Sequence, residues 1–186
     1  SENDRDDIGR QKRNLKEIMN TYETERLTLR PMTIEDAEFF MELVNTEKWL
    51  KFIGDRNVKD IEASENYIKE RMYPQYEKGY YNYLIINKQT QEKMGSCGVY
   101  GRDFLEVPDI GFAFLPDFEG KGFAYEAASK VKEIAIKNFG LTKISGITME
   151  ENHSSRKLLE KLGLKYQKKF FMEGDQEELM YYEWEM

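Results

Sequence analysis

Leu27-Thr28-Leu29-Arg30 alternates apolar and polar positions as a strand with one buried face does. Thr33 follows as a helix cap, with Asp36 three residues on as a partial capping box; the predicted buried stripe is Ala37, Phe40, Met41 and Val44. A second helical stretch is predicted from Asp60 to Tyr76, ended or kinked by Pro74, which lacks an N–H. Tyr80 to Asn87 and Met94 to Gly101 read as a strand pair around the polar turn Lys88 to Lys93. Asp109 to Leu115 is the next strand and Pro116 stops it. Gly111 within that strand has two readings, a bulge with exposed backbone or close packing. From Phe123 to Phe139 the period changes to 3.6: Ala124, Ala127, Ala128, Val131, Ile134 and Ala135 share one face, and Gly140 supplies the C-cap. Lys143 to Met149 is a strand, Asn152 or Ser154 caps a helix, and Gly163 ends it. Lys165 to Met172 and Glu177 to Glu185 form a closing hairpin around Glu173-Gly174-Asp175. Helices mixed with hairpins at both ends predict an α+β fold rather than a doubly wound sheet.

The 186 residues suit one domain with a sizeable core, and 40% hydrophobic content excludes a disordered chain. A net charge of −7 argues against a nucleic-acid partner and fits attraction of cationic molecules. One cysteine, Cys97, and one histidine give no disulfide and no metal framework; Cys97 is read as a small buried hydrophobe. No apolar run is long enough to span a membrane, and the charged first twenty residues carry no signal-peptide core, so the expected location is the cytoplasm. The aromatic stretch Asn66 to Tyr76 is a candidate surface for pairing two copies of the chain.

The densest chemical signal is Pro116-Asp117-Phe118-Glu119-Gly120-Lys121-Gly122-Phe123-Ala124-Tyr125-Glu126, set between a strand and the alanine-faced helix. Two glycines let the backbone approach a ligand closely, and the first N–H groups of the helix point forward without partners, as a diphosphate site requires. No Gly-Lys-Ser/Thr closes the loop, so it is not a Walker A motif. Gly120-x-Gly122 is half of a dinucleotide fingerprint, but Tyr125 stands where its third glycine belongs, and too little chain follows for the second half of that fold.

Downstream, Glu151-Asn152-His153-Ser154-Ser155-Arg156-Lys157-Leu158-Leu159-Glu160-Lys161-Leu162-Gly163-Leu164 completes a pattern that resembles the GCN5-related N-acetyltransferases, most closely their ribosomal-protein-alanine branch. Glu25 to Pro31 and Thr33 to Ala37 resemble that family's first strand and first helix. The resemblance implies a mixed, mostly antiparallel sheet flanked by helices, with a polar extension over residues 1–21 and one N-acetyltransferase domain over residues 22–186. It also implies acetyl-CoA as co-substrate, held by the backbone of Phe114 and Leu115, by Glu119, Gly120, Lys121, Gly122, Phe123 and Ala124, and by Asn152 and Ser155. In the family this central strand splays from its neighbour, and its exposed backbone pairs with the pantetheine amides. Lys121 is read either as a charge near a phosphate or as a solvated loop lysine, and Asn152 as a pantetheine ligand, a helix N-cap, or both. Two departures stand out. Glu119 replaces the usual Gln or Arg, so its carboxylate is expected to face away from the phosphates or to bond a backbone N–H. Leu159 replaces a tyrosine that protonates the leaving thiolate, which makes the Ser155 hydroxyl the candidate proton source.

The implied reaction is direct attack of a primary amine on the thioester. Deprotonating an α-amine at pH 7 costs about 1.4 kcal/mol, against roughly 4.6 for a lysine. The chain shows no strong base, which favours the softer amine of a protein N-terminus; a polyamine or aminoglycoside is the alternative acceptor. Asp109 and Glu173 are the candidate bases, and a non-catalytic acyl-CoA-binding module is the alternative from another class.

Overall fold

The computed structural model describes residues 20–172 and 177–186. The polar extension expected over residues 1–21 therefore lies outside the described residues as far as residue 19. Eight strands form one sheet: β1 (Tyr22–Glu23), β2 (Leu27–Pro31), β3 (Asn82–Asn87), β4 (Lys93–Tyr100), β5 (Asp109–Phe114), β6 (Lys143–Met149), β7 (Lys165–Phe171) and β8 (Glu178–Glu185). Their order is β1-β2-β3-β4-β5-β6-β8-β7, and every neighbouring pair is antiparallel except β5 and β6. The expected α+β sheet of mostly antiparallel strands is thus present.

Alternation along the strands sends side chains to two separate cores. On one face Leu27, Leu29, Tyr83, Ile85, Cys97 and Ile110 pack against the long helix α5 (Phe123–Lys137), through its Ala127, Ala128, Val131 and Ile134. Alanines on that stripe let the helix lie close to the sheet. The Cys97 thiol is fully buried and burial pushes its pKa up, as expected for a packing residue. On the other face Met32 and Leu84 meet α1 (Ala37–Val44) and α3 (Ile61–Tyr67). The buried stripe of α1 is Ala37, Phe39, Phe40, Leu43 and Val44, so Met41 gives way to its neighbours. Pro74 does not end the second helical stretch. A π-helical turn at Ile68–Met72 absorbs the break and the chain resumes as α4 (Tyr73–Glu77). Within the chain Tyr67 packs on Phe40, Tyr73 on Tyr76, and Tyr76 on Tyr81. Another helix, α2 (Glu47–Phe52), has no counterpart in the sequence reading; Thr46 caps it by accepting from Trp49 N–H at 3.3 Å.

One buried ion cluster fixes β2, β4 and the entry to α1. Asp36 is 1% exposed and accepts from Arg30 at 2.7 and 2.8 Å, from Lys93 Nζ at 2.8 Å and from Thr33 N–H at 2.9 Å. Burial pushes its pKa up, but these four donors outweigh burial and hold it at about 2. Gly111 sits in an unshifted β4–β5 register, and a Cβ there would lie 2.8 Å from the Tyr100 ring. Close packing, not a bulge, explains that glycine.

Candidate active site

The sheet opens between its two parallel strands. β5 and β6 share a single register pair, Asp109 with Ser145, anchored by Ser145 N–H to Pro108 O at 2.9 Å. Beyond that pair the strands separate. Leu115 N–H donates to Met94 O at 2.9 Å, which fixes the parity of β5: odd residues bond to β4 and even ones face the gap. The main-chain groups directed at the gap are therefore those of Phe112 and Phe114. Leu115, expected to contribute with Phe114, is committed elsewhere, since its carbonyl also accepts from Phe118 N–H at 3.0 Å.

At the end of β5 the chain makes a 3₁₀ turn, Pro116–Phe118, and reaches Gly120 and Gly122, whose φ values are +72° and +80°. Both lie in the left-handed region that glycine adopts without strain. Gly122 is the N-cap of α5, and Glu126 N–H, bonded to Gly122 O at 3.1 Å, is the first of the helix amides to find a partner. Among the described residues, none accepts a hydrogen bond from the amides of Gly120 through Tyr125. They form an open donor array at a helix start, where the dipole adds positive potential.

Arg26, unremarked in the sequence, sets this loop. Its Nη1 donates to Lys121 O at 3.0 Å, its Nε to Glu126 at 2.7 Å, and its guanidinium carbon lies 4.2 Å from the Phe123 ring centroid. Glu126 also accepts from Arg26 N–H at 3.0 Å, so its carboxylate ties the loop to the turn before β2 as well as sitting in the first turn of the helix. Lys121 points its side chain to solvent. Among the described residues no backbone N–H donates to the Glu119 carboxylate. It pairs with Lys48 Nζ of α2 at 3.3 Å, and the same Nζ donates to Ser154 Oγ at 3.1 Å.

Ser154 belongs to the opposite lip, helix α6 (His153–Lys161). Asn152 caps it, its Oδ1 accepting from Ser155 N–H at 3.3 Å. Ser155 is half-buried and lines the gap; Leu159, one turn on, is 1% exposed. It fills the space above Gly146, where a Cβ would be 2.6 Å from Leu159 Cδ2. The side chain at this position is a core hydrocarbon, and one turn earlier on the helix stands the Ser155 hydroxyl. Phe112, Phe114, Gly120, Gly122, Asn152 and Ser155 all border one cleft of roughly 1330 Å³.

The same cleft is also walled by Trp49, Tyr67, Tyr76, Tyr100 and Arg102, which form its candidate acceptor compartment. Asp109 lies at its border, 2% exposed, and accepts from Arg102 Nε at 2.6 Å. Burial pushes the Asp109 pKa up and Arg102 opposes it. The two remaining candidates differ in reach: Ser155 is in the cleft, while Glu173 lies outside the described residues. Among the described residues no helix is long and apolar enough to cross a membrane.

This geometry has close parallels. The family described as acetyltransferase (GNAT) domain matches residues 26–165. The uncharacterized N-acetyltransferase p20 of Bacillus licheniformis is 31% identical over 145 residues, covering 77% of this chain and 82% of that one. The uncharacterized N-acetyltransferase YoaA of Bacillus subtilis is 29% identical over 142 residues, 76% and 80% of the two chains. Among solved structures, RimL, a ribosomal L7/L12 α-N-protein acetyltransferase in complex with coenzyme A, superposes with a TM-score of 0.77 at 15% identity, over 90% of this chain and 98% of its own. A split sheet, a glycine loop with open amides, and a sequence matched over most of its length together make this chain a member of the GNAT family of N-acetyltransferases.

Proposed function

We propose that the chain transfers the acetyl group of acetyl-CoA to a primary amine by direct attack, with the α-amine of a protein N-terminus as acceptor. The observation that carries this reading is the open donor array from Gly120 to Tyr125 beside the unpaired edge of β5. The array suits the diphosphate of coenzyme A, and the Phe112 and Phe114 main chain suits the two amides of its pantetheine arm. Bound acetyl-CoA supplies the thioester. The neutral amine nitrogen forms a bond to the carbonyl carbon, the C–S bond breaks, and the proton shed by nitrogen replaces the one that the Ser155 hydroxyl gives to the departing sulfur, so the serine ends the cycle unchanged. Asn152 then has two compatible roles, capping α6 and facing the arm.

Asp109 serves better as a positioning residue than as the base, because its carboxylate is taken up by Arg102 at 2.6 Å. That suits an acceptor needing little help, since an α-amine yields its proton for about 1.4 kcal/mol at neutral pH. The fold itself accommodates other amines; a spermidine N-acetyltransferase chimera from Vibrio cholerae and hSSAT superposes with a TM-score of 0.70 at 16% identity. The test is isothermal titration with acetyl-CoA followed by thiol release with peptides, polyamines and aminoglycosides. Binding followed by release with peptide N-termini is expected. Release with polyamines alone would replace the acceptor, and failure to bind acetyl-CoA would end the proposal.

A further inference from the structure

Arg102 is held as a receptor would be held. It lies in the loop that joins β4 to β5, whose facing ends, Tyr100 and Asp109, are in register. The loop is anchored to the acceptor-side helix α4 by Gly101 N–H to Gln75 Oε1 at 3.0 Å. Arg102 folds back so that Nε donates to the buried Asp109 carboxylate at 2.6 Å. Its guanidinium carbon lies 5.4 Å from the Tyr100 ring centroid and 5.8 Å from that of Phe104. Asp109 thus occupies the Nε edge, and the rings flank the guanidinium. The Nη1–Nη2 edge makes no hydrogen bond among the described residues, and neither nitrogen is sealed from solvent. The side chain borders the acceptor compartment.

We infer that the outer edge of Arg102 binds a carboxylate carried by the acceptor, so that the substrate holds an acidic group as well as the amine to be acetylated. This rests on the acetyltransferase reading above and narrows it. The Arg102–Asp109 pair is net neutral, so it offers two aimed donors rather than a long-range field. A polyamine has no acceptor to satisfy them, whereas a carboxylate matches the spacing of a guanidinium fork and gains charge assistance over a neutral carbonyl. The acidic side chains of Asp103 and Glu70 border the same cleft and suit the ammonium of such a substrate rather than its carboxylate, while the Tyr100 and Phe104 rings lie within cation–π range of Arg102.

The carboxylate comes either from an amino acid or from an acidic residue near a peptide N-terminus, and two arms of one experiment separate them. The first compares tripeptides differing only by Asp or Asn at positions one and two. The second compares free amino acids with their amides. Expected is a kcat/KM about tenfold or more higher for the carboxylate member in one arm, collapsing toward parity in Arg102→Gln and partly kept in Arg102→Lys. Acetyl-CoA affinity in each variant reports that it folds. Titrating the N-acetylated products into the enzyme–CoA complex gives a readout that needs no turnover. Equal affinity for acid and amide, or a preference that survives Arg102→Gln, overturns the inference. A preference seen in binding with no CoA released from any amine overturns the acetyltransferase reading instead.

Discussion

Gly120 and Gly140 form a matched pair for testing the donor array. Their φ values are +72° and +66°, and a Cβ at either meets nothing within 4 Å. Replacing either by alanine therefore adds no clash and charges only for the left-handed backbone, about 1–2 kcal/mol. For a domain of this size that lowers the unfolding midpoint by roughly 2–4 °C per kcal/mol. The functional consequences diverge. Gly140 caps the far end of α5, where Leu141 N–H reaches Ala135 O at 3.0 Å, and touches no part of the cleft. Gly120 sits inside the array, so relaxing its backbone turns amides away from the diphosphate. Losing one charge-assisted hydrogen bond costs about 1.5–3 kcal/mol, a roughly tenfold or greater rise in acetyl-CoA Kd. Calorimetric titration and thermal unfolding of both variants measure the two effects. Gly120→Ala should show both and Gly140→Ala only the loss of stability. Unchanged acetyl-CoA affinity in Gly120→Ala, or an equal loss in both, would refute the loop assignment.

Ser155→Ala should lower kcat roughly tenfold or more while leaving the KM for acetyl-CoA nearly unchanged, as loss of a proton donor does; a change confined to KM would assign the hydroxyl to binding. Lys48→Ala leaves Glu119 uncompensated beside the array, so acetyl-CoA should bind a few-fold more weakly, most visibly at low salt, and adding Glu119→Gln should restore it; both side chains are about 40% exposed, which keeps the effect small. The Asp36 cluster predicts acid lability: with a folded pKa of about 2 against 3.8, the carboxylate contributes about 2 kcal/mol that is present above pH 4 and lost as pH falls toward and below 2. Urea unfolding across that range should show a shallower pH dependence in Asp36→Asn than in the parent, and parallel curves would contradict the assignment.

The glycine loop and the alanine-faced helix were readable because their signals are local: φ freedom at Gly120 and Gly122, and a 3.6-residue period ending at Gly140. The same holds for Asn152, whose cap needs only the residue three places on. What escaped depends on distant parts of the chain. Arg26 holds a loop 95 residues away, and Lys48 meets Ser154 across 106. Helix α2 is six residues long, too short to show a period. The choice of Phe112 over Leu115 depends on which edge of β5 bonds to β4, and hydropathy does not encode that parity. Arg102 was within reach, since it and Asp109 flank one loop with opposite charges.

Lys48 joins two elements that are far apart in the chain. It rises from a helix belonging to the acceptor compartment, yet its ammonium rests on Glu119 at one lip of the coenzyme groove and on Ser154 at the other. A single flexible side chain thus touches both lips of the groove. A ligand that engages either Glu119 or Ser154 changes what the Lys48 ammonium rests on, so the two lips are coupled through one side chain.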